Sequence, residues 1–199
     1  MGKWLGLAFV ALLVLLGLGA VGSYNSLVRL EQAVDAQWGQ VENVYQRRLD
    51  LVPNLVATVK GAASFEQQTL TQVIEARAKA SQVSLTASRE LLEEPAAFQR
   101  FQQAQQNLSG ALSRLLVTVE RYPELRATEN FRELQAQLEG TENRIAVERM
   151  RFNDAARAFN TRRNSFPTVL FAGFFGHRFA ERPYFQAEPG ASKAPQVRF

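Results

Sequence analysis

The chain has 199 residues, with 23 Lys and Arg against 19 Asp and Glu, one histidine and no cysteine, for a formal charge of +4. The missing thiols exclude disulfides, thiolate metal sites and a cysteine nucleophile. A charge excess this small gives no electrostatic argument for a nucleic-acid partner, and plentiful Gln, Ala and Arg with few Thr, Ile and Tyr favour helix over sheet.

Residues 4–22, WLGLAFVALLVLLGLGAVG, carry no charge; Lys3 precedes them and Arg29 is the first charge after them. At about 1.5 Å per residue such a helix comes close to the roughly 30 Å hydrocarbon core of a bilayer. Two readings fit. Lys3 and the small residues Ala20, Val21 and Gly22 before Ser23 resemble a cleaved signal, whose apolar stretch is typically about 7–15 residues. The greater length here, and the amphipathic sequence that resumes at Tyr24, favour an uncleaved transmembrane anchor over residues 1–23. Arg29 is offset by Glu31 and Asp35, so the distribution of basic residues favours a cytoplasmic N-terminus and an external body. Gly6 stands where a myristoylation signal needs Ser or Thr.

Four stretches repeat apolar residues at steps of three and four. The first carries Leu27, Leu30, Val34, Trp38, Val41 and Tyr45; the second Val52, Leu55, Val59, Ala62, Leu70, Val73 and Ala80. The third carries Phe98, Phe101, Gln105, Leu108, Leu112, Leu115, Val119 and Tyr122, and the fourth Phe131, Leu134, Leu138, Ile145, Phe152, Ala155 and Phe159. Steps this regular describe a coiled-coil-like bundle seam. Pro95 opens the third helix after a polar stretch, residues 81–94, that reads as a loop. Tyr122-Pro123 ends it, because proline disfavours helical geometry at the residue before it. Thr128 caps the fourth, with Glu129 in the first turn. At Arg47-Arg48-Leu49-Asp50-Leu51-Val52-Pro53, two arginines suit a helix end, Asp50 a cap and Pro53 a first turn. The alternative is one long helix kinked at Pro53. The split is favoured, since it gives helices of similar length, as an up-down four-helix bundle requires. Residues 186–199, with Pro189, Gly190 and Pro195, read as a flexible tail.

Five blocks together resemble the LemA family of bacterial membrane proteins: Tyr24-Asn25-Ser26-Leu27-Val28, RRLDLVPNLVATVKG at 47–61, ERYPEL at 120–125, LEGTENRIAVER at 138–149 and SFPTVLFAGFFG at 165–176. They occur in the family's order across residues 24–185; Val169 departs from a usually polar position. The resemblance implies an all-α, single-pass protein of the bacterial inner membrane. Its anchor would carry an antiparallel, LemA-like four-helix bundle over residues 24–185 in the periplasm or outside the cell. It carries over no catalytic residue.

Two groups are candidate sites. In the fourth helix Thr141, Glu142, Asn143 and Arg144 interrupt the apolar seam, with Glu148 further on; Arg47, Arg48 and Asp50 interrupt the first pair. Such residues hold a metal or small ligand, form a buried hydrogen-bond network that fixes register, or face solvent. Paired Glu-x-x-His motifs would mark a di-metal bundle, but His177 is the only histidine and lies outside the four helices, so no metal or cofactor is expected. The second group is a Phe-rich segment, residues 165–180, with Phe166, Phe171, Phe174, Phe175 and Phe179 interleaved with glycine. Arg162, Arg163 and Arg178 lie beside them. It either lies in the membrane interface, packs on the bundle end or binds a partner. Up-down topology returns it to the membrane; a three-helix path leaves it distal. The whole reads as a non-enzymatic membrane scaffold or adaptor whose partners are the lipid bilayer, envelope or membrane proteins and copies of itself. The alternatives are a small-ligand or metal-binding bundle, or a regulator of a membrane protease or envelope enzyme.

Overall fold

The uncharged run coils into the first third of one helix, α1 (Gly2–Lys60), 59 residues long. The computed structural model describes residues 2–61, 66–85 and 90–186, and all regular structure among them is helical. After α1 come α2 (Gln67–Leu85), the short α3 (Glu90–Glu93), α4 (Pro95–Val119), the single turn α5 (Pro123–Arg126) and α6 (Glu129–Asn164). A short α7 (Thr168–Ala172) and a 3₁₀ turn (Gly176–Phe179) complete the order.

The expected split at Asp50–Pro53 does not occur: Pro53 lies inside α1. An interior proline has no N–H for the carbonyl four residues back, and typically costs about 3 kcal/mol. That carbonyl belongs to Leu49, and it accepts a 2.9 Å hydrogen bond from Nε of Arg77 on α2. The neighbouring helix supplies the donor that proline lacks, so α1 continues to Lys60. Val52, Leu55 and Val59 therefore belong to α1, while Leu70, Val73 and Ala80 lie on α2; Ala62 falls outside the described residues. The loop expected over 81–94 is also shorter, since residues 81–85 continue α2 and 90–93 form α3. Other punctuation is where sequence places it. Pro95 starts α4, Pro123 starts α5, and Thr128 caps α6 by accepting the Phe131 N–H at 3.4 Å.

Most buried residues on α1 follow two seven-residue series, Leu27, Val34, Val41, Arg48 and Leu55 with Glu31, Trp38, Tyr45, Val52 and Val59; Ser23 and Leu49 are buried outside them. α1 packs on α6 and α2, and α2 packs on α4. Two apolar clusters result. One is aromatic: Trp38 meets the rings of Phe101, Phe152, Phe98 and Phe185 at centroid distances of 5.4, 5.5, 5.9 and 6.2 Å. The other, built on Leu49, Leu55, Val73, Leu108, Leu115 and Leu138, is mainly aliphatic. The apolar start of α1 has no such cover. It is the one helix among the described residues long and apolar enough to cross a membrane, with a mean hydropathy of 2.5 over its most apolar window.

Arg77→Ala is expected to lower stability by about 1–2 kcal/mol, the cost of leaving a buried carbonyl without its donor. In a Pro53→Ala background, where residue 53 regains an N–H for Leu49, the same substitution costs much less. Denaturant unfolding of the four full-length proteins in detergent, read as a double-mutant cycle, measures the difference.

Candidate functional site

A polar layer separates the two apolar clusters. Arg48 takes a seam position of α1 and is 1% exposed. Its Nη1 donates to Ser109 Oγ at 2.7 Å and to Glu142 Oε1 at 2.9 Å. Its Nη2 donates to the Gln105 carbonyl at 3.3 Å and also to Gln105 Oε1. Gln105 Nε2 in turn donates to Ser84 Oγ at 3.2 Å, so α1, α2, α4 and α6 meet at one layer. The guanidinium also stacks 5.0 Å above the Tyr45 ring. The space left among Tyr45, Arg48, Gln102, Gln105 and Glu142 is about 20 Å³, the volume of about one water; beside it, sharing Ser109 and Glu142, an open hollow of about 510 Å³ is lined by Leu112, Leu116, Leu138 and Asn143.

Of the polar residues singled out from sequence, Arg48 and Glu142 meet in this layer. Thr141 is buried too, but its hydroxyl donates to the Gln137 carbonyl of its own helix at 2.7 Å. Arg47, Asp50, Asn143 and Arg144 are exposed and lie outside the buried network; Asp50 accepts from Gln46 Nε2, 2.8 Å away on its own helix. Glu148 accepts from Gln37 Nε2 at 2.6 Å. Helical geometry explains this division: residues one or two apart on a helix face different ways, so a polar run cannot enter the core together.

A second polar centre was not anticipated. Glu31 and Arg182, each about 2% exposed, form an ion pair at 3.0 Å. Residues 180–186 run along α6 as a strap, held by two of its asparagines seven residues apart. Asn160 accepts the Arg182 N–H at 2.9 Å and donates to the Arg182 carbonyl and to Tyr184 Oη, both at 2.9 Å. Asn153 accepts the Phe185 N–H at 2.8 Å and donates to the Phe185 carbonyl at 3.0 Å. Arg149 Nη2 donates to the Gln186 carbonyl at 2.7 Å, so Gln186 belongs to the strap; the rest of the expected tail, residues 187–199, lies outside the described residues. Glu31 was legible as a charge in the seam rhythm. Arg182 carried no signal, because no periodicity governs an extended strap.

The Phe-rich segment divides. Phe179 is buried, edge-on to Tyr24 at 5.6 Å, and Phe175 is half-buried against the same ring at 5.2 Å. The Phe171 ring rests on Gly19, 3.7 Å from where a Cβ there would stand. Phe166 and Phe174 are 77% and 88% exposed, and Val169 and Leu170 are also exposed. The nearby arginines are largely engaged within the protein. Arg162 donates to Ser26 Oγ at 3.1 Å, Arg163 to the Phe179 carbonyl at 2.6 Å, and Arg178 to Tyr24 Oη at 2.6 Å.

Two outcomes are expected. Glu142→Ala leaves Arg48 buried without its counter-charge and destabilises by about 1–3 kcal/mol. Adding Arg48→Met recovers most of that loss in denaturant unfolding, since an apolar side chain needs no partner. Asn160→Ala removes three hydrogen bonds to the strap and, at about 1 kcal/mol each, releases it locally. Faster chymotryptic cleavage after Phe185, with little change in global unfolding, reports the release.

Sequence comparison places these features in a family. Magnetosome protein MamQ 2 and magnetosome protein MamQ 1, both of Paramagnetospirillum magneticum, are each 25% identical to the chain over 196 residues. Each alignment covers 92% of this chain and 69% of the relative. Magnetosome protein MamQ of Magnetospirillum gryphiswaldense is 25% identical over 191 residues, covering 87% of this chain and 70% of the relative. Residues 37–199 match the LemA family, and they contain the Arg48 layer, Arg182 and the Phe-rich segment. The chain belongs to the LemA family.

Proposed function

We propose that this protein is a membrane-anchored, non-enzymatic helical scaffold or adaptor, its body an antiparallel four-helix bundle outside the cytoplasm on a bacterial inner membrane. The observation that carries the reading is the continuity of α1, which passes from an uncovered apolar run into the buried seam without a break. A cleaved leader has no need to share a helix with the body it precedes; a stalk does. The bundle is supported by the order of contacts. Partners of Ser26, Gln37 and Arg48 on α6 are Arg162, Glu148 and Glu142, so numbers fall on one helix as they rise on the other.

The non-catalytic reading is supported by where the buried polar groups point. Arg48 is bonded to Ser109, Gln105 and Glu142, and Arg182 to Glu31, so these groups are engaged by neighbours in the fold. The N-terminus is assigned to the cytoplasm from Lys3 and the near-neutral flank at Arg29, Glu31 and Asp35.

Because the chain lacks cysteine, Val117→Cys at an exposed site on α4 gives a unique thiol. Labelling of that thiol in intact cells by a maleimide that cannot cross the inner membrane is expected. The full-length protein is also expected to stay with membranes through alkaline carbonate extraction. Labelling only after the inner membrane is broken would reverse the orientation, and release by carbonate would remove the anchor.

A further inference from the structure

We propose that α7 and the turns flanking it form a second membrane contact, a lipid-facing foot seated at the outer edge of the hydrocarbon beside the anchor. The proposal rests on residues 4–22 spanning the bilayer, and adds to it a defined depth and a defined surface.

Depth follows from contacts to α1. Phe171 rests on Gly19, three residues inside the end of the apolar run. At about 1.5 Å per residue, that is about 4.5 Å below the end of the uncharged segment. One turn further, the hydroxyl of Thr168 lies 3.5 Å from that of Ser23, and both residues are buried. Two contacts on successive turns fix α7 against α1, so its height in the membrane is set by the helix itself. A segment touching Gly19 in a spanning helix has lipid, not water, as its neighbour.

Surface chemistry agrees. Phe166, Val169, Leu170 and Phe174 are exposed within nine residues. Scattered apolar side chains on a surface need no explanation, but a cluster contiguous with an apolar helix does. Backbone polarity, the usual obstacle to immersion, is largely answered internally. The Val169 N–H donates to Ser165 O at 2.9 Å, Leu170 N–H to Pro167 O at 3.1 Å and Phe174 N–H to Phe171 O at 2.9 Å. At the rim, half-exposed Arg178 is held by Tyr24 Oη, the pairing of basic and aromatic groups that suits a headgroup layer. Continuity with the anchor selects lipid over a second copy of the chain as the occupant.

The test uses full-length protein with a single environment-sensitive fluorophore on Phe174→Cys, Leu170→Cys or Val117→Cys. The proteins are reconstituted in vesicles of phosphatidylethanolamine and phosphatidylglycerol, with and without a quencher on the acyl chains. Labels at 170 and 174 are expected to emit to the blue of the label at 117 and to lose most of their emission to the lipid quencher, with 117 unaffected. If 174 behaves as 117 does while the protein still floats with the vesicles, the anchor stands and the foot is overturned. Shielding of 174 from aqueous iodide without lipid quenching means that protein covers it, and also overturns the proposal. Failure to float removes the anchor and the foot together.

Discussion

The first helix reaches its full length because another helix completes it. Pro53 leaves the Leu49 carbonyl without a donor, and Arg77 on α2 provides one. The consequence is more than local. A hinge at Pro53 would divide the seam of α1, placing Leu27 to Val52 on one rigid piece and Leu55 and Val59 on another. With the carbonyl answered, both seven-residue series continue along one rod, and α2 must be docked for the rod to be whole. The continuity of α1 and the docking of α2 are thus coupled, through this hydrogen bond and the apolar cluster around it.

An unbroken seam creates a second problem, which the polar layer addresses. Leu27, Val34, Val41 and Leu55 are close to interchangeable, so a slip of one heptad, about 10.5 Å, would still bury aliphatic surface. Arg48 removes that freedom. Only one alignment gives its guanidinium Ser109, Gln105 and Glu142 together; a slip of one heptad sets it against Leu112 and Leu116 in one direction, and against Phe98 and the like charge of Arg149 in the other. Desolvating a charge makes such a layer a weak source of stability, and its better-attested role is to select register. Glu31 and Arg182 do the same work elsewhere, with a difference: Arg182 lies on the strap, so this pair fixes the chain's return against α1 and α6.

How much of this the sequence disclosed depends on periodicity. Helical class, the uncovered run and the seams of α4 and α6 were legible, because they repeat. The count of long helices was also legible, though for a partly mistaken reason. The chain turns after Lys60, not before Pro53, and the donor that decides between them lies 24 residues beyond the proline, out of reach of local rules. The two alternatives for the Phe-rich segment were tied to that break. In the structure α1 stays whole, yet α6 still returns toward Ser26, because the turn at Gly61 replaces the one expected earlier. Glu31 and Arg48 could be found as charges inside a heptad rhythm. Arg47, Asp50, Asn143 and Arg144 could not be separated from them by composition, only by the face on which each falls.

On the proposed spanning of residues 4–22, the height of the apolar surface ties the anchor to the body. Residues 4–18 are exposed, a length of about 22 Å as a helix, which is short of the roughly 30 Å a bilayer core requires. The next turn of α1 completes the span, yet there Gly19 and Ala20 are partly covered and Ser23 is buried. What covers them is α7, whose outer face carries Val169 and Leu170, with Phe166 and Phe174 on the flanking turns. The apolar band therefore passes from one element to the next at the same height. Small residues at 19 and 23 are what permit the handover: a bulky side chain at 19 would displace Phe171, and one at 23 would displace Thr168. On this reading the last turn of the anchor belongs to the membrane on one side and to the body on the other. The body is then seated on the bilayer by packing, with no flexible linker between the two.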